Sequence, residues 1–172
     1  MIAYKFLQPD AVAPFTGFRW PRPNGEGGEW VEAETVDPCR GGIHACRVRD
    51  LPMWIAPELW QIELDGEIVE LERKVVASRG RLLRRLPQWD DELRDGFAKF
   101  CVDRTRRRVG AVPVVSGFVA DVERFRAQRR TAIAGFAAAR AAEVRGGPQA
   151  YEEERRAQAE WLAQRLGLDG AV

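Results

Sequence analysis

Residues 37–65 read DPCRGGIHACRVRDLPMWIAPELWQIELD, and the fold class turns on how this stretch is read. Its last residues alternate, with Trp60, Ile62 and Leu64 on one side of an extended chain and Gln61 and Glu63 on the other. That is a strand with one buried face. Asp65-Gly66 follows, a dipeptide favoured in two-residue hairpins, so the chain is expected to reverse there and return along 67–71. Upstream, Gly41-Gly42 admits a backbone shape that side chains would forbid. Residues 43–46 then read as a short strand, with Ile43 and Ala45 on one face and His44 and Cys46 on the other. Asp50 is expected to cap a short helix over 51–54, with Pro52 tolerated near its start.

Working outward, 3–7 reads as an opening strand ended by the turn Gln8-Pro9-Asp10. Residues 16–20 read as a second strand, with Phe18 and Trp20 on one face. The loop 21–28, PRPNGEGG, precedes a half-buried strand over 29–34. Two short strands, 74–77 and 81–86, joined through Ser78-Arg79-Gly80, complete the β signals. From Asp90 the period becomes helical, with Leu93, Phe97, Phe100, Cys101 and Arg104 along one side. Acid at its start and base at its end suit the helix dipole. A second helix is expected over 119–144, presenting Val122, Phe125, Ile133 and Phe136, with Gly146-Gly147-Pro148 stopping it. A last helix takes 151–166, with Trp161, Leu162 and Leu166 as contacts. The fold class is therefore α+β: a β-rich N-terminal domain over 1–88, then a helical region over 89–172 that packs on it or forms a partner surface.

The 172 residues carry 45% hydrophobic and 31% charged side chains with a formal net charge of +1. This is the make-up of a folded domain, and no global field recruits nucleic acid or an anionic membrane. No secretory signal or membrane span is read, and three cysteines without a small secreted scaffold point to reduced thiols in a cytoplasm.

His44 is the lone histidine. Most such residues are quiet and hydrogen-bonded, but this one follows a Gly-Gly turn and is flanked by Arg40, Arg47 and Arg49, which suits a phosphate-binding pocket. Cys39, His44, Cys46 and Cys101 contain the donors of a Cys₃His zinc site, yet C-x₄-H-x-C is not a usual knuckle spacing, so buried thiols are preferred and no metal is assigned. A nucleophilic Cys46 lacks a partner acid. Of the acids Glu58, Glu63, Glu67, Glu70 and Glu72, most read as a solvated sheet face. Glu63 is the candidate for turning into a cleft beside His44 as base or sugar-hydroxyl acceptor. Two basic runs, Arg104, Arg106, Arg107 and Arg108, then Arg124, Arg126, Arg129 and Arg130, read first as solvated helix faces. Their alternative is contact with a phosphate backbone, while the Ala-rich, Arg/Glu-rich C-terminal helices could pair with a partner helix or a second copy of the chain.

Tyr4-Lys5, Cys39, Gly42-Ile43-His44-Ala45-Cys46 and the strand running to Gly66 together resemble a set of small uncharacterised phage and bacterial proteins; the likeness spans about residues 3–77 and implies no activity. More distantly, 41–67 is similar to the central segment of ADP-ribosyltransferases of the poly(ADP-ribose) polymerase type. That resemblance implies a split sheet and an NAD-binding cleft. His44 would occupy the place of the tyrosine that stacks on nicotinamide, and Tyr4-Lys5 that of the first NAD-binding strand. It implies Lys5 with Arg19 or Arg40 on the pyrophosphate, and Trp20 or Trp54 stacking with His44. Glu63 is then the acid that steadies positive charge on the ribose. The family's catalytic glutamate has no counterpart, since 74–86 contains none. The competing expectation is a non-catalytic protein- or nucleic-acid-binding module that uses the Arg-rich helices.

Overall fold

The computed structural model of the chain describes residues 1–38, 40–109 and 113–168, so Cys39 lies outside the described residues. The chain divides into two compact units, Met1–Trp89 and Asp90–Val172, the first built from strands and the second from helices. The protein is α+β.

In the first unit β1 (Ile2–Leu7), β2 (Val31–Glu32), β3 (Ile43–Ala45), β4 (Glu58–Glu70) and β5 (Val75–Arg85) make one sheet. Its order is β1-β4-β5-β2, with β3 also on β5, and the named pairings are antiparallel. Just past β3, Cys46 and Tyr4 exchange both backbone hydrogen bonds at 2.8 Å. The run β1-β4-β5-β3 thereby returns to β1 and encloses an apolar interior. Ala3, Leu7, Ala11, Trp20, Ile43, Ala45, Trp60, Ile62, Leu64, Val75, Ala77 and Leu82 fill it. Each fully buried Leu or Ile here contributes on the order of 1.5–3 kcal/mol, which is what selects the register.

Several local expectations are corrected. Asp65-Gly66 makes no hairpin: β4 runs through it for 13 residues, and β5 is likewise a single 11-residue strand across Ser78-Arg79-Gly80. The dipeptide sits in an irregularity between Asp65 and Ile68, where Gly66 takes φ +75 and the Glu67 N–H donates to Ser78 Oγ at 3.0 Å. The chain reverses instead at 71–74, where the Leu71 N–H meets the Lys74 carbonyl at 2.9 Å. Arg47 pins that reversal by donating to the Leu71 and Glu72 carbonyls (2.6 and 2.9 Å), to Glu70 (3.1 Å) and to Asp50 (2.6 Å). Asp50 is not the N-cap of its short helix but lies within the 3-10 turn Val48–Met53, where it accepts from the Arg47 backbone. Residues 16–20 form no strand, only a bridge from Arg19 to Val12; Trp20 is buried while Phe18 is exposed. Of 29–34, Val31–Glu32 alone is strand.

The second unit holds α1 (Asp91–Val109), α2 (Pro113–Ala127) and α3 (Thr131–Leu166). Asp90 Oδ1 caps α1 by accepting the Leu93 N–H at 2.8 Å. The expected helix over 119–144 is broken at Arg129, whose φ of 54 is left-handed. At Gly147 the backbone leaves helical geometry, with φ 73 and ψ −171, so α3 is two helical segments meeting at a kink and Gly146-Gly147-Pro148 interrupts the helix as expected. Phe97, Ala98, Cys101 and Val102 on α1, with Ala134, Ala138, Ala141 and Ala142 on α3, are buried, whereas Phe136 is half exposed. Gly135 suits this close packing: a Cβ there would stand 3.1 Å from Phe97 Cε1, and the ring would have to give. Among the described residues, no helix is long and apolar enough to cross a membrane.

Candidate functional site

Lys5 lies on β1 between Ala3 and Leu7, both members of the enclosed core, so by strand alternation it faces inward with them. Its partner across β4 is Trp60, another core residue. Its ammonium donates to the His44 carbonyl and lies 5.0 Å from the centre of the Trp20 ring. Burial lowers the Lys5 pKa to about 8, opposed only weakly by Cys46.

His44 is on the other face of β3 from Ile43 and Ala45, and its partner across the ladder is Val76. Its Nε2 is 3.0 Å from the Pro38 carbonyl. A carbonyl only accepts, so Nε2 carries the hydrogen, and the neutral ring presents its basic lone pair at Nδ1. Burial lowers the His44 pKa, the Pro38 bond opposes this, and the positive charges of Lys74 and Lys5 lower it further. The Lys74 ammonium donates to the same Pro38 carbonyl. The Lys74 ammonium and the His44 imidazole N–H thus meet on the Pro38 carbonyl, while the inward-facing Lys5 ammonium takes the His44 carbonyl. A neutral ring among cations, with donors directed at neutral oxygens, is a setting that favours an anion.

The remaining expected site residues fall at different distances from this cluster. Trp20 joins it through Lys5. Tyr4 is buried and joins through its backbone bonds to Cys46. Trp54 is half-buried and donates from Nε1 to the Arg73 carbonyl at 2.8 Å, next to Lys74. Arg40 is exposed, its N–H meeting the Asp37 carbonyl at 3.2 Å. Arg19 is exposed and donates to the Asp10 carbonyl at 3.3 Å. Glu63 does not join His44. It pairs with Arg81 across the β4–β5 ladder at 2.8 Å, six residues along β4 from Val69, which shares a row with Val76 and His44. At about 3.3 Å per residue that is roughly 20 Å along the strand. Arg81 in turn lies under the Trp30 ring, 4.7 Å from its centre, with Arg79 at 4.3 Å.

Two contributors were missed from sequence. Lys74 sits in a turn thirty residues beyond His44, and only the β3–β5 pairing brings it in. Glu58, read with the solvated acids, is buried, accepting from the Trp60 indole at 2.9 Å and the Ala11 N–H at 3.2 Å. The one available signal for Lys74 is composition: the chain has only three lysines, Lys5, Lys74 and Lys99.

Cys46 and Cys101 are buried free thiols in different units, and burial raises the pKa of each. A thiol held protonated is a poor nucleophile and a poor metal ligand. Among the described residues no group of three His, Cys, Asp or Glu side chains is placed to hold a metal.

The helical arginines are largely engaged with acids. Glu154 takes Arg104 at 2.8 Å and Arg108 at 3.2 Å, and Glu123 takes Arg106. Asp121 takes Arg124 at 2.6 Å, Asp95 takes Arg126 at 2.7 Å, and Asp91 lies 3.7 Å from Arg129. A polyanion would meet a surface whose positive charge is already partly offset.

Comparison with protein-family models, with curated proteins and with solved structures gives no match to this chain.

Proposed function

We propose that the N-terminal unit binds a nucleotide of the NAD type at the Lys5–His44–Lys74 cluster and acts on it as an ADP-ribosyltransferase-like enzyme. The observation that supports this reading is the meeting of the Lys74 ammonium and the His44 imidazole on the Pro38 carbonyl, with the Lys5 ammonium on the His44 carbonyl beside Trp20. Lys5 and Lys74 take the pyrophosphate, with Arg40 and Arg19 as outlying cations, and the rings of His44, Trp20 and Trp54 offer stacking faces. Transfer needs a carboxylate beside the ribose as its bond to nicotinamide lengthens. Glu63 is held by Arg81 too far along β4 from His44 to supply it, so the reading rests on binding. The reduced thiols suit a cytoplasmic setting.

Thermal-shift titration with NAD tests binding. Ligand at a hundred times its Kd stabilises a fold by about 2.7 kcal/mol, a rise of several degrees for a unit of this size. His44→Ala and Lys74→Met should abolish the rise without lowering the melting temperature of the free protein. No shift at millimolar NAD sinks the reading. A salt-sensitive nucleic-acid shift, or a dimer in solution, without any NAD response would favour a binding module built on the arginine-bearing helices. Nicotinamide release from bound NAD separates an enzyme from a binder.

A further inference from the structure

One strand of the first unit lies outside its ring of paired strands. β2 pairs with β5 and, among the described residues, with no strand on its other side. Val31 lies across from Gly80, and the Ala33 N–H donates to the Ser78 carbonyl at 2.8 Å. In an antiparallel ladder the residues between such pairs turn their N–H and C=O groups the opposite way. Trp30 and Glu32 therefore point backbone donors and acceptors out from the sheet edge, and among the described residues no other segment takes them. The side chains continue the pattern. Val31 and Ala33 pack on the enclosed core but are only partly buried, which leaves an apolar flank along the edge. On the outer face Trp30 lies over Arg79 and Arg81, and Glu32 is 3.6 Å from Arg79, which Asp65 shares at 3.5 Å. Glu29, Glu32 and Glu34 are all exposed.

We propose that the β2 edge takes one added strand from a partner protein, an extended segment in which lysine or arginine alternates with apolar residues. Its backbone pairs with Trp30 and Glu32, and its apolar residues cover the flank of Val31 and Ala33. Its cations fall on the outer face, opposite Glu32 and beside the Trp30 ring. The glutamates decide the occupant. A second copy of this edge would set acid against acid, which disfavours pairing, whereas a basic strand meets complementary charge. This inference does not rest on NAD binding.

The test uses the full chain and an end-capped heptapeptide of alternating lysine and valine, with backbone amide exchange followed by NMR. In the free protein the Trp30 and Glu32 N–H groups should exchange fast and that of Ala33 slowly. Saturating peptide should slow Trp30 and Glu32 at least about tenfold and leave Ala33 unchanged. The same peptide N-methylated on its lysine backbone nitrogens keeps its charge but cannot pair, and should slow neither amide. Combining Glu32→Lys with Glu34→Lys should weaken the lysine peptide about tenfold, and a glutamate–valine peptide should bind that variant better than wild type. No binding at millimolar lysine peptide overturns the proposal. Equal binding of the N-methylated peptide, or binding that leaves Trp30 and Glu32 exchanging fast, overturns strand addition. Slow exchange at both positions in the free protein overturns the open edge, and if the protein is then a dimer the occupant is a second copy. An affinity unchanged by the two charge reversals overturns the basic partner.

Discussion

Lys5 and Glu154 are both charged side chains turned into the interior of their units, and the two units treat them in opposite ways. Glu154 is 1% exposed and receives Arg104 and Arg108, with Gln158 Nε2 at 3.4 Å. Gln158 then reaches on to the Gly135 carbonyl at 3.0 Å, tying the network to the helix backbone. Lys5 has a carbonyl and an aromatic ring, both neutral. A buried charge matched by opposite charges is committed to its fold, since its energy is already returned by its partners. One matched only by dipoles keeps part of its desolvation cost, and that cost shows as a depressed pKa and a proton that is easily lost. The comparison separates a structural charge from one that is free to do chemistry.

The largest effect expected is at Glu154. Glu154→Ala leaves Arg104 and Arg108 without their shared acid and should destabilise the protein by about 3 kcal/mol in urea unfolding. A cost near zero would show that solvent, not Glu154, satisfies those arginines, and the contrast with Lys5 would collapse. Next comes the pH dependence of Lys5. Its folded pKa, about 8, lies below the unfolded value of 10.5, so between these the unfolded chain holds a proton that the folded chain has released. Stability from this group therefore rises as pH goes from 8 to 10.5, and below 8 the ammonium opposes folding. The stability difference between wild type and Lys5→Met should change by up to about 3 kcal/mol across that window, in favour of wild type at the alkaline end. A difference that does not vary with pH would mean the ammonium is solvated. The smallest effect is at Gly42, with φ +96, where a Cβ would stand 2.4 Å from Val76 Cγ1. Gly42→Ala should cost about 2 kcal/mol and displace β3, so that the Lys5 ammonium loses its acceptor and its pKa falls further as the His44 carbonyl moves away. Unchanged amine titration in this variant would show that β3 does not set the environment of Lys5.

The alternation Trp60, Ile62, Leu64 and the later change to helical period were readable because each is a local consequence of burying one side of an element. The hairpin was misread for a related reason. Asp-Gly favours a positive φ, which serves a tight turn or an irregular strand equally, and only the length of β5 opposite decided between them. Arg129 gave no warning of its left-handed backbone, because nothing in its chemistry prefers it. At the site, His44 stood out by its neighbours and Glu63 was correctly placed opposite the Trp60 face. Its partner Arg81 and the distance from His44 both came from strand register.

The split between a β-rich and a helical part, the strands at 3–7, 43–46 and 59–65 and the surroundings of His44 along the chain were determined by sequence alone, since each depends on neighbours within a few residues. Which way Lys5 faces and what it touches were decided only in three dimensions. The pairing of β1 with β4 and of β3 with β5 joins residues up to 61 apart in the chain, and a buried charge has no measurable character until its surroundings have closed around it.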